Sequence, residues 1–183
     1  MIIEDVSGEP FAEFMRREVA QPLGLSSLEW VWTPGLERRA PTPYDDKQKG
    51  VGYRQLAVQA IGSGICTVPD FARFVAAAVT GPHNEPAGRG VLKPETISIM
   101  LQTQPNITPS GGLGYGIGSA KGEKFLQHSG HNPGWYAVFV ISADRRDGFV
   151  IANNSSRGDA LNNAVVDLWL KKCRGIDAKR ERR

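Results

Sequence analysis

Two histidines, a serine and a glycine occupy consecutive positions, His128-Ser129-Gly130-His131, and Asn132-Pro133-Gly134-Trp135 follow directly. A histidine at a strand end can present a titratable imidazole to a cleft near neutral pH. Ser129 offers a hydroxyl to a carboxylate or a carbonyl. Gly130 lets a substrate backbone approach the strand edge without meeting a Cβ. The His131 N–H is placed to meet a developing oxyanion. These residue types describe acyl-transfer chemistry in which His128 is the candidate catalytic group and Ser129, Gly130 and His131 bind substrate. They equally describe a glycine-rich turn with an incidental histidine, and residue type alone leaves both open.

Other reactive side chains are sparse. Cys66 and Cys173 are too few for a disulfide framework and lack metal-ligand spacing. Cys66 reads as a small buried residue and Cys173 as a helix-face residue. His83 sits in the Gly81-Pro82-His83-Asn84 turn and reads as surface. Asn153-Asn154-Ser155-Ser156 ends a strand, where side-chain capping is the expected role. Asp144 to Asp147 reads as a solvated hairpin tip. No cofactor or metal is implied.

Three helices and a run of strands must position these groups. Ser7-Gly8-Glu9-Pro10 opens a helix with Phe11, Phe14, Met15 and Val19 on one face, stopped by Pro22 and Gly24. Thr67-Val68-Pro69-Asp70 reads as a capping box for a second helix, with Phe71, Phe74, Val75, Ala78 and Val79 inward and Gly81-Pro82 as its end. A shorter helix begins near Pro94 and buries Ile97, Met100 and Leu101. Strand patterns follow at 112–118, 125–130, 135–141 and 149–152, with Asp147-Gly148 favouring a hairpin. A last helix from about Gly158 places Leu161, Ala164, Val165, Leu168 and Trp169 on its inner stripe. Helices, then an antiparallel meander, then a covering helix make an α+β fold. Residues 30–66 are poorly periodic and read either as a cleft-lining loop or as plain surface.

Composition narrows the class. Hydrophobic residues make up 40% of the 183 residues, enough for a core. No apolar stretch approaches the roughly 18 residues of a membrane span. The opening Met1-Ile2-Ile3-Glu4-Asp5 does not read as a secretory signal, and the compartment is not legible from the chain. The net charge is +3, but residues 171–183 alone hold seven Lys/Arg and two Asp/Glu, so the preceding 170 residues carry −2. That basic end lacks the interleaved aromatics of a nucleic-acid footprint, so no nucleic-acid partner is expected.

Four segments in order resemble the β-lactamase-related, penicillin-recognising serine hydrolases: class C β-lactamases, D-Ala-D-Ala carboxypeptidases and related esterases. Residues 1–25 resemble the family's helix pair ending in a Pro-Leu-Gly turn. Residues 60–74 (AIGSGICTVPDFARF) are similar to its Gly-Gly-Leu-x-Ser-Thr-x-x-Asp segment, and 112–118 (GLGYGIG) to its Gly-Leu-Gly-Trp strand. His128-Ser129-Gly130 stands where the family has Lys/His-Thr/Ser-Gly, its third active-site motif. The resemblance implies hydrolysis of a β-lactam, D-Ala peptide or ester through a serine ester, with a small-molecule or peptide acyl substrate.

The family's other two motifs are absent. No serine is followed by Lys at the third position, and no tyrosine by Asn at the second. In the family both precede the stretch that residues 1–4 resemble. The expectation is therefore the C-terminal part of such a hydrolase, inactive alone: residues 1–172 a partial domain and 173–183 a basic tail. An incomplete sheet would leave apolar surface that invites self-association or a complementing segment. The alternative is a non-catalytic binding or accessory domain that keeps the substrate-recognising strand.

Overall fold

The computed structural model describes residues 1–107, 111–144 and 146–176. Helices α1 (Ile2–Ser7), α2 (Phe11–Met15), α3 (Pro34–Glu37), α4 (Val68–Ala76) and α5 (Pro94–Met100) precede four strands, β1 (Gly116–Ala120), β2 (Glu123–Asn132), β3 (Trp135–Ser142) and β4 (Asp147–Asn153). Helix α6 (Gly158–Arg174) closes the chain. The strands pair antiparallel in the order β1-β2-β3-β4, the α+β meander expected from the sequence.

Alternation along the strands divides the core into two layers. Leu126, Phe139 and Ile141 face α4, where they pack with Val75, Ala78 and Phe71. The intervening residues Phe125 and Val140 face α6, against Val166, Trp169, Leu170 and Ile176. A third cluster, Phe11, Ala12, Ala20, Leu25 and Trp30, sits under the N-terminal helices.

Several local expectations change on contact with the rest of the molecule. The first helix stops being α-helical after Met15 and continues as a π turn over Arg16–Ala20, with Gln21 N–H donating to Arg16 O at 2.9 Å. That wider turn carries Ala20 into the N-terminal core, where it is buried. Helix α4 ends at Ala76 rather than near Gly81, because Gly88 N–H returns to cap Ala77 O at 2.7 Å. The 112–118 segment becomes strand only from Gly116.

Helix α6 keeps Trp169 of its expected face inward but is rotated so that Leu161 and Leu168 are not. Leu161 and Leu168 are 58% and 56% exposed, while Asn162, Val166, Trp169 and Leu170 meet the sheet. Two contacts fix that rotation. Asn162 is fully buried and accepts from Asn153 Nδ2 at 3.0 Å. Trp169 packs edge-on between Phe125 and Phe149, with ring centroids 6.0 and 5.3 Å away. Arg174 sits over the Trp169 ring at 4.5 Å and pairs with Glu123 and Asp147, so helix runs through residues 173 and 174. The hairpin tip loses Arg145 and the basic end loses 177–183 to description, as both lie outside the described residues.

The turn between β2 and β3 is Pro133-Gly134, with Gly134 at φ +81° in the pattern of a type II turn. Gly134 N–H donates to Ser156 Oγ at 2.8 Å, and a Cβ there would lie 2.4 Å from Pro43 Cβ. Gly134→Ala should therefore destabilise the protein by on the order of 2–4 kcal/mol, measured as a lower urea midpoint; an unchanged midpoint would refute this packing.

Candidate functional site

The sequence-predicted site residues lie on one strand but on two faces of it. His128 and Gly130 share the face of Leu126, toward α4, and Ser129 and His131 lie on the face of Phe125. All four are exposed. Strand β2 pairs with β3 out to Asn132↔Trp135, but with β1 only as far as Gly116↔Gln127. From His128 onward the β1-side edge of β2 has no strand beside it among the described residues.

The imidazole of His128 is held from two sides. Its ring stacks at 20° on Phe139, the residue opposite on β3, with centroids 6.4 Å apart. Its Nδ1 lies 2.9 Å from Gly114 O. A carbonyl only accepts, so Nδ1 carries the proton between them, and Nε2 is the ring nitrogen turned away from this contact. His131 lies against Tyr136, with ring centroids 5.6 Å apart.

Over the α4 side of the hairpin end lies a cavity of about 370 Å³ whose wall includes Gly130, Asn132, Trp135 and Ala137; His128, Ser129 and His131 are not in its lining. The opposite wall comes from residues 32, 52, 54–56 and 62–66, so these parts of the aperiodic segment line a cleft. That wall is tied down by polar contacts. Ile65 and Glu29 exchange backbone hydrogen bonds of 2.9 and 2.8 Å. Gln55 accepts from Trp32 N–H at 2.9 Å and donates to Trp30 O at 3.1 Å. Asn132 Nδ2 reaches across to Gly62 O at 2.9 Å.

Below the cavity, the expected capping box is replaced by a longer-range clamp. The Thr67 and Asp70 side chains turn to Ser27, not to their own helix end. Thr67 N–H donates to Ser27 Oγ at 3.0 Å, and buried Asp70 accepts from Ser27 N–H at 2.7 Å and Ser27 Oγ at 2.6 Å. These bonds from the Ser27 hydroxyl and N–H, with Arg73 beside them, hold the Asp70 carboxyl below its ordinary value of 3.8. Cys66, on the cavity wall, is pushed up to about 11 by burial and then by the Asp70 charge. It is a neutral thiol at physiological pH and no nucleophile. Asn154 Nδ2 donates to Thr42 O at 2.7 Å, a long-range tie in place of a local cap. Among the described residues no group of His, Cys, Asp or Glu is placed to hold a metal ion, and no helix is long and apolar enough to cross a membrane.

The beta-lactamase family matches residues 1–169. The chain belongs to that family. It is a family of β-lactamase-like serine hydrolases, and its fold recurs in solved structures of low identity. The octameric penicillin-binding protein homologue from Pyrococcus abyssi superposes with a TM-score of 0.65 at 20% identity, over 85% of this chain and 36% of that one. The D-amino acid amidase from Ochrobactrum anthropi SV3 gives 0.67 at 21%, over 90% and 52%. The β-lactamase/D-alanine carboxypeptidase from Yersinia pestis gives 0.63 at 16%, over 90% and 51%. This β-lactamase-family chain thus spans between about a third and a half of those proteins. No curated protein matches it.

The length of the aperiodic segment pointed to a cleft-lining loop, but the individual wall residues Trp32, Leu56 and Ser63 were not singled out, because they belong to no periodic element. Two outcomes follow from the clamp and the thiol. A carboxyl held below its unfolded value stabilises the fold above that value and loses the contribution as pH falls through the folded one. Between pH 5 and 3 the melting temperature should fall more steeply in the native protein than in Asp70→Asn; parallel curves would refute the clamp. Iodoacetamide at pH 7.5 should alkylate exposed Cys173 well before Cys66, as read by peptide mass mapping.

Proposed function

We propose that this chain is the substrate-holding part of an acyl-serine hydrolase. The acyl substrate lies along the open edge of β2, its backbone adding to the strand as a peptide adds to a sheet. Gly130 permits the close approach, Ser129 bonds a substrate carbonyl or carboxylate, and His131 N–H meets the oxyanion. His128 acts through Nε2 beside the reacting group. The nucleophilic serine with its lysine base, and the Tyr-x-Asn relay, come from chain outside these 183 residues. The serine hydroxyl adds to the carbonyl, the amine or alcohol departs with a proton, and water releases the acid and the free serine.

The observation that carries this reading is the conjunction at Gly130. The strand edge loses its β1 partner after Gln127, and within the same stretch Gly130 and Asn132 line the cavity. Membership of the family supports the reaction class. The names of the similar structures, a D-amino acid amidase and a β-lactamase/D-alanine carboxypeptidase, support an amide-type substrate. The octameric state named for the Pyrococcus homologue supports self-association, for which the outward Leu161 and Leu168 supply apolar surface.

The purified chain should give background rates with a chromogenic cephalosporin and a p-nitrophenyl ester. Joined to the segment encoded ahead of it, expected to carry Ser-x-x-Lys and then Tyr-x-Asn, it should turn over, and His128→Ala should then lower kcat by about 100-fold or more. Covalent capture of labelled penicillin by the 183 residues unaided would overturn the reading. An encoded segment without those motifs would leave the non-catalytic binding domain.

A further inference from the structure

Residues 56–64 form a stretch of the cavity wall that is held differently from the rest. Gln55 is tied to Trp32 and Trp30 at one end, and Ile65 exchanges backbone bonds with Glu29 at the other. Between those anchors no residue belongs to a helix or a strand. Among the described residues one hydrogen bond joins this stretch to a regular element, from Asn132 Nδ2 at the end of β2 to Gly62 O at 2.9 Å. Apolar burial adds little. Val58 and Ile61 are 46% and 69% exposed, and Leu56 alone of the larger side chains lines the cavity. Gly62 sits at φ +68°, and a Cβ there would lie 3.2 Å from Asn132 Nδ2 and 3.4 Å from Leu56 Cδ1, so the three residues meet at one contact. Next to it, Ser63 Oγ is buried without a hydrogen-bond partner among the described residues, which penalises this arrangement.

We propose that residues 56–64 are a strap that opens and closes this wall of the cavity, with the Asn132 amide as its latch. A stretch with few buried apolar contacts and few hydrogen bonds to its surroundings opens locally, well below the free energy of global unfolding. Two groups set the balance in opposite senses. The Asn132 bond favours the closed form, and the unmet Ser63 hydroxyl, which gains water when the strap lifts, favours the open one. Asn132 lies on the strand face of His128 and Gly130, so the latch ties the wall to the strand that carries the candidate site. The proposal concerns access and not chemistry, and it stands whether or not the chain is part of a hydrolase.

The test needs neither ligand nor turnover. Amide hydrogen exchange of the full chain is read by mass spectrometry with β3 as internal reference. Beside it, iodoacetamide labelling of Cys66, on the cavity wall, is read against exposed Cys173. Asn132→Ala should speed exchange over residues 56–62 by roughly two- to tenfold, the effect of one lost hydrogen bond, and raise the Cys66-to-Cys173 labelling ratio, with β3 unchanged. Gly62→Ala, which strains the backbone and crowds the latch from the other side, should do the same. Ser63→Ala removes the unmet hydroxyl and should act in the opposite sense, slowing strap exchange by about twofold or more. Asn154→Ala cuts a different long-range tie and should leave the strap as it is. Strap exchange unmoved by the two latch variants, acceleration shared equally with β3, or the same acceleration from Asn154→Ala would each overturn the proposal. If the latch variants do not melt cooperatively, Ser63→Ala against the native chain decides: slower strap exchange supports the proposal, and equal or faster exchange sinks it.

Discussion

The site depends on one constraint, the register between β2 and β3. Eight facing pairs, from Phe125↔Ser142 to Asn132↔Trp135, decide which side chains look toward α4 and which toward α6. A slip of one residue would move His128 and Gly130 to the α6 face and drive Ser129 into the cavity side. Several independent features oppose such a slip. Leu126 is fully buried on one face, Phe125 packs against Trp169 on the other, and Gly134 is locked between Pro43 and Ser156 at the turn. The same register lays the His128 ring over Phe139.

A second layer of organisation joins segments far apart in sequence. Asp70 reaches back 43 residues to Ser27, and Asn154 reaches back 112 residues to Thr42. These polar ties fix the aperiodic segment in front of the hairpin, where hydrophobic burial alone would not position it. Such loops carry function because a rigid scaffold holds them in place. The charged clamp at Ser27 gives the start of α4, from which Val68 and Phe71 line the cavity, a dependence on acid that an apolar contact would lack.

The sheet and its order were legible because alternation and the Pro133-Gly134 turn are local signals. The rotation of α6 was not. Of the expected stripe Leu161, Ala164, Val165, Leu168 and Trp169, Trp169 does face the sheet, while buried Asn162, bonded to Asn153 9 residues away, turns the helix so that Leu161 and Leu168 face outward. The same holds for Thr67 and Asp70. Their spacing matches a capping box, yet Ser27 competes for both side chains, and sequence alone cannot show that it lies within reach. His128, Ser129 and Gly130 were found by type and order. Trp32, Leu56 and Ser63 were not, since they acquire meaning only through the wall they build together.

The meander topology also bears on how the molecule comes together. Every strand pairs with its neighbour in sequence, so the sheet is made of short-range contacts, which form fast. Closure of the wall against the hairpin must bring Gly62 to Asn132, 70 residues apart, and pays the larger loop entropy. By that ordering the hairpin's contacts are the cheaper to form and the enclosing wall's the dearer.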